Sequence, residues 1–227
     1  MALPLPLRNR LADLVLDALH DADAREGLRA LAAVCADPRA PEGARPPARF
    51  PLEFFERGGE GLAVRGGFAA HARELADRAK AAWHAVGARA LGPAAPSLAE
   101  TLDAAGALFD AGLYFEVHEL LEPCWFRALG REREALQGLI QIAVGYQHLA
   151  NGNLAGARAL LDEGRRRLDG RTLEGLDLDA FGQKVARTSD RIQKLDWRTV
   201  PPFPRPQSGP RAGGAAGKAV NPRKELS

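Results

Sequence analysis

The sequence predicts an all-α protein: a compact bundle of antiparallel helical hairpins with an N-terminal helical extension. Three observations predict it. Ala, Leu, Arg, Glu and Asp dominate while β-branched residues are scarce, a mixture that favours helix. Apolar residues recur at three- and four-residue intervals, and no stretch alternates at period two for long enough to make a sheet. Hydrophobic residues are 46% and charged residues 26% of 227, a globular composition able to bury one substantial core.

The elements follow in order. Residues 8–36 read as helix, with Leu11, Leu14, Val15, Ala18 and Leu19 and then Leu28, Leu31, Ala32 and Cys35 on its apolar side, and Gly27 as a candidate break. Pro38, Pro41, Pro46 and Pro47 exclude regular structure from the connector that follows. The glycine-rich stretch 52–67 is ambiguous. A helix over 68–90 carries Phe68, Leu75, Ala79, Ala82, Trp83 and Val86 and ends at Gly92, Pro93 and Pro96. Ser97 with Glu100 three residues on makes a capping box, opening a helix over 97–111. The next helix runs from Tyr114 to about Leu129, and a long apolar one over 132–150 ends at the Asn151-Gly152 turn. Asn153 caps a helix to Leu168, and Asp177 caps a last one over 178–195. The chain divides into an extension over 1–96, a bundle over 97–204 and a tail over 205–227.

The charge is uneven. The tail holds Arg205, Arg211, Lys218, Arg223 and Lys224 against Glu225, so it carries +4 and the body −2. Its Gly, Pro and Ala content predicts disorder, and dispersed cations without aromatics argue against nucleic acid as a partner. Cys35 and Cys124 stand outside any CxxC or Cys/His cluster, so a disulfide framework and a zinc knuckle are not expected. No apolar run reaches the ~18 residues that suggest a membrane span, and Arg8, Arg10 and Asp13 interrupt the apolar start. The expectation is a cytoplasmic protein that does not engage membranes.

Chemistry concentrates in two helices. On the first, His118, Glu119 and Glu122 fall within roughly 100° of arc. An imidazole and a carboxylate one turn apart can share a metal, or the imidazole can hold a catalytic carboxylate in hydrogen bond. On the second, Gln137, Gln141 and His148 form a stripe roughly 40° wide on an otherwise apolar helix, with Glu134 extending the line. A buried amide or imidazole needs a partner, so the two polar faces are expected to meet in a cleft. A divalent metal held by His118, Glu122 and His148 would leave a position for water, with Glu119 as general base. Glu116, Tyr114, Trp125, Gln137 and Gln141 would then contact substrate. The run His118-Glu119-Leu120-Leu121-Glu122 has zincin spacing with Glu in place of the second His, and the Glu-x-x-His pairs of di-iron bundles are missing. His20, His71 and His84 read as surface or satisfied.

The run from Phe109 to Glu122 with Trp125, followed by Gln137-Gly138-Leu139-Ile140-Gln141, His148, Gly152-Asn153 and Gly156-Ala157, resembles domain-of-unknown-function family 309. The likeness spans about residues 97–204. It implies a compact all-α bundle, the label of a predicted metal-dependent hydrolase, and Glu116, His118, Glu119, Glu122, Trp125, Gln137, Gln141 and His148 as motif residues. Pro123 departs from an unbroken helix and is expected to kink it just after Glu122. A second likeness is to tetratricopeptide hairpins, although Gly112 and Gly152 are 40 residues apart where that repeat uses about 34. That reading makes the protein a non-catalytic protein- or peptide-binding module; otherwise the expected partner is an unknown small molecule or peptide. A second copy of the chain is a further candidate partner.

Overall fold

Asp21 decides where the N-terminal helical segment breaks. Its carboxylate accepts from the amides of Asp23 and Ala24 at 2.7 and 2.9 Å, an N-cap that separates α1 (Leu5–Asp17) from α2 (Ala22–Ala36). Gly27, the expected break, lies buried inside α2 instead. It is glycine because a Cβ there would come within 3.0 Å of the Arg49 backbone. The computed structural model describes residues 3–39, 46–58, 61–194 and 197–205; of the expected tail, it describes Arg205 alone.

The ambiguous stretch forms a small antiparallel hairpin, β1 (Phe55–Gly58) with β2 (Gly61–Val64), Phe55 opposite Val64. It corrects the expectation of no sheet. Strands of four residues are too short for period-two alternation to show, yet Phe55 and Leu62 are buried. A 3₁₀ turn over Gly66–His71 leads into α3 (Ala72–Val86).

The hairpin region follows the predicted order: α4 (Leu98–Asp110), α5 (Tyr114–Arg127), α6 (Gly130–Ala150) and α7 (Leu154–Leu168). Both halves of the Ser97/Glu100 capping box are made. The side chain of Asn153 accepts from the Gly156 amide at 3.0 Å as the α7 cap. A two-residue pair, β3 (Thr172–Leu173) with β4 (Leu176–Asp177), precedes α8 (Leu178–Asp190), which Asp177 caps. α8 stops short of the expected Leu195, and a 3₁₀ turn at Ile192–Lys194 follows.

One hydrophobic cluster runs from Leu3 to Phe203, so the N-terminal helices share the core of the hairpins. Phe109 stands at its centre, edge-on to Tyr114, Tyr146 and Phe181 with ring centroids 5.1, 5.6 and 5.8 Å away. Phe203 packs on the same ring, and its amide donates to Asp110 at 2.7 Å, fixing the exit of the chain. α6 and α7 touch backbone to backbone: a Cβ on Gly138 would lie 2.9 Å from the Gly164 carbonyl oxygen. Among the described residues no helix is long and apolar enough to cross a membrane.

Candidate functional site

α5 turns two polar groups in different directions. Glu116 is fully buried, and both its oxygens accept from Nη2 of Arg78 on α3 at 2.7 Å. Arg78 is itself only 14% exposed. About 200° round the helix from Glu116, His118 faces partly open surface. Its Nδ1 lies 3.1 Å from Glu119 and its Nε2 lies 3.9 Å from Glu122. Both are electrostatic contacts, and neither has the geometry of a hydrogen bond. Phe115, beside His118, is covered by the Arg8 guanidinium 4.0 Å above its ring.

Tyr114 is buried, stacked on Tyr146 at 5.3 Å. Burial, with the nearby Asp110 carboxylate, pushes its phenol up to about 12. Burial also raises Tyr146, whose hydroxyl has Thr188 beside it. The helix continues through Pro123 to Arg127. Trp125 is half-buried, with the Arg133 guanidinium 4.1 Å over its ring and its Nε1 enclosed without a hydrogen-bond partner.

The α6 stripe does not turn toward α5. At about 100° per residue it lies beside the Gly138 and Gly145 line that faces α7, and opposite Tyr146, which faces Tyr114. Its bonds agree. His148 Nδ1 is 2.7 Å from the Asn153 amide nitrogen in the α6–α7 turn, and Glu134 pairs with Arg167 on α7. Gln141 has its Oε1 buried without a partner, and Gln137 is half-buried. Among the described residues no hydrogen bond or ion pair joins His118, Glu119 or Glu122 to Gln137, Gln141 or His148. No three His, Cys, Asp or Glu side chains among those residues gather as a metal-holding group. The expected shared cleft is therefore replaced by two separate faces. The reason is the glycine-lined contact with α7, which sets the rotation of α6.

A concavity lies where sequence reasoning does not look. The α3–α4 linker is pinned to the α1–α2 turn: the Gly92 amide donates to Leu19 O at 2.8 Å. Arg25 donates to Ala18 O at 2.9 Å and to Arg89 O at 2.6 Å. These bonds wall a cavity of about 640 Å³, whose lining includes Leu19, His20, Pro93, Ala104 and Leu120. Arg89 and Asp103 form an ion pair and also line it. His20 has its Nδ1 enclosed without a hydrogen-bond partner, which corrects the reading of this histidine as surface or satisfied; the same holds for His71. The signal in the sequence was Gly92, legible there only as a helix stop. A Cβ at that position would approach His20 Nδ1 to 3.1 Å.

Cys35 and Cys124 are free and partly buried, and burial raises the Cys35 thiol to about 11. Against known proteins, no curated protein and no solved structure matches the chain. Residues 102–160, from α4 into α7, match the family model described as a domain of unknown function (DUF309), and over that stretch the chain is similar to that family.

Proposed function

We propose that the protein is a helical binding module that holds a small, mostly apolar ligand in the cavity between the α1–α2 turn, the α3–α4 linker and α4. The observation that carries this reading is the cavity itself. Its volume of about 640 Å³ falls within the roughly 300–1,000 Å³ of small-molecule sites. Its lining is mainly apolar, and His20 supplies one enclosed nitrogen without a partner. A buried polar atom left unpaired costs about 1–3 kcal/mol, so a ligand bearing one complementary group gains both the apolar contact and that bond.

Indole, an apolar ring with a single N–H, is a suitable probe. Titrated into ¹⁵N-labelled protein, it should shift the amides of Leu19, Gly92 and Leu120. Ala104→Phe, which fills the space, should abolish the response, and His20→Phe should weaken it. Shifts confined to the outer face of α5, or none at all, would remove the reading.

A second reading, a hydrolase, has its own observation: an imidazole 3.1 Å from a Glu119 oxygen with Glu122 nearby, all partly exposed. A positioned imidazole is a competent general base toward water. A metal-assisted form would draw on His118 and Glu122 but need a further donor, because His148 is engaged with Asn153. Metal content of untagged protein, before and after adding Zn²⁺ or Mn²⁺, tests the metal-assisted form. Binding lost in His118→Ala would favour it; protein indifferent to both metals would count against it.

A further inference from the structure

α8 and the return of the chain after it enclose a second concavity, and its chemistry is one-sided. Lys184, Arg187 and Arg191 stand at i, i+3 and i+7, so they share one face of the helix. All three are exposed. With Arg198, Thr188 and the backbone turn at Val200–Pro202 they line a pocket of about 390 Å³. Among the described residues no carboxylate lines it.

Several guanidinium groups elsewhere are held in ion pairs. Arg10 meets Glu53, Arg78 meets Glu116, Arg89 meets Asp103, and Arg167 meets Glu134 and Glu163. Lys184, Arg187 and Arg191 have no ion-pair partner among the described residues. Three like charges within about 10 Å of helix repel one another, and that repulsion is relieved when an anion enters. The C-terminal dipole of α8 favours cations near Arg187 and Arg191, but it does not account for a concave wall that collects them.

We propose that this pocket binds a small phosphate-bearing molecule. Guanidinium forks match phosphate oxygens two at a time, and a lysine adds a mobile point charge. The volume exceeds what a single phosphate fills, leaving room for a second phosphate or a compact organic group. The cations are bunched around a pocket rather than strung along a groove, which favours a compact anion over a polynucleotide backbone.

Inorganic pyrophosphate is the probe. Titration of the full-length chain at 50 mM NaCl, read by calorimetry and by ¹⁵N amide shifts, should give saturable binding that maps to Lys184–Arg191 and Val200. Raising the salt should weaken it. The double variant Arg187→Gln/Arg191→Gln should bind at least 10-fold more weakly, while Arg57→Gln, on exposed β1, should bind as the parent does. Absence of saturable binding, affinity unchanged in the double variant, or shifts elsewhere would each overturn the proposal. So would retention of a 20-nucleotide single strand without any binding of pyrophosphate. If the double variant fails to fold, shift mapping on the parent chain still decides.

Discussion

Two helix joints in this protein are built on opposite principles. Where α3 meets α5, the contact is made by charge: Arg78 donates from one nitrogen to both oxygens of a carboxylate that has no exposure at all. Where α6 meets α7, the contact is made by the absence of side chains, with Gly138 and Gly164 each standing where a Cβ would strike the other's carbonyl oxygen. The charged joint holds only while both partners are present, since a lone buried ion is far costlier than a complete pair. The glycine joint has no partner to lose and no tolerance for addition. The contrast also sorts the polar residues of the hairpins. Glu116 belongs to the first joint and His148 to the turn that closes the second, whereas His118, Glu119 and Glu122 belong to neither.

The sharpest way to break the comparison is to halve the charged joint. Arg78→Ala leaves Glu116 buried without a cation, and loss of one member of a buried pair typically costs about 3–5 kcal/mol. Urea unfolding followed by circular dichroism should show that loss. The joint double substitution Arg78→Met/Glu116→Leu should recover most of it, because a well-packed apolar pair replaces a buried ion pair at little cost. A loss below about 1 kcal/mol for Arg78→Ala, the range of an exposed pair, would mean that the joint is wet and the contrast with α6–α7 does not hold.

Alkali probes the seam between the two joints, where Tyr114 stacks on Tyr146. Tyr114 rises from 10.0 to about 12, through burial first and the Asp110 charge second, and Tyr146 moves the same way. The folded protein keeps these protons after the unfolded chain has released them. Stability is therefore complete below pH 10 and falls as pH rises toward 12. For Tyr114 alone two pH units correspond to on the order of 3 kcal/mol. Arginine stays charged throughout this range, so the Arg78–Glu116 joint is spared, and the difference between the parent and Tyr114→Phe reports the seam. Urea midpoints at pH 8 and pH 11.5 should differ less in Tyr114→Phe than in the parent. Cys35, raised from 9.0 to about 11 by burial, adds a loss of the same order that sets in one pH unit lower and that this variant leaves in place.

The sequence made the hairpins legible because their punctuation is local. Ser97 with Glu100, Asn153 and Asp177 all cap the helices they were expected to cap, since a cap is a contact between neighbours in the chain. The rotation of one helix against another is not local. Gln137, Gln141 and His148 read as facing α5, yet the contact of Gly138 and Gly145 with α7 turns them away. Glu116 read as a substrate contact, because Arg78 lies 38 residues earlier and nothing near Glu116 announces it. The His20 cavity was hidden for the same reason. Its walls come from a turn, a linker and two helices whose adjacency depends on Arg25 reaching Arg89 O, a bond that no periodicity encodes.

The smallest change tests the other joint. Within a helix, Gly→Ala ordinarily stabilises by roughly 0.5–1 kcal/mol, because alanine loses less backbone entropy on folding. Gly164→Ala should reverse that sign. Its new methyl would lie 2.8 Å from the Gly138 carbonyl oxygen and 3.1 Å from the Ile142 amide nitrogen, and backbone atoms cannot swing aside as a flexible side-chain tip can. α6 and α7 must separate, and overpacking of this kind costs about 1–3 kcal/mol. Gly67→Ala supplies the reference, since nothing lies within 4 Å of its built Cβ. That variant should gain about 0.4–1 kcal/mol through the unfolded chain. Opposite signs for the two substitutions in urea unfolding would establish that α6 and α7 meet at their backbones. Equal signs would mean that the helices already stand a methyl group apart, leaving nothing in this joint to fix the rotation of the Gln137, Gln141 and His148 stripe.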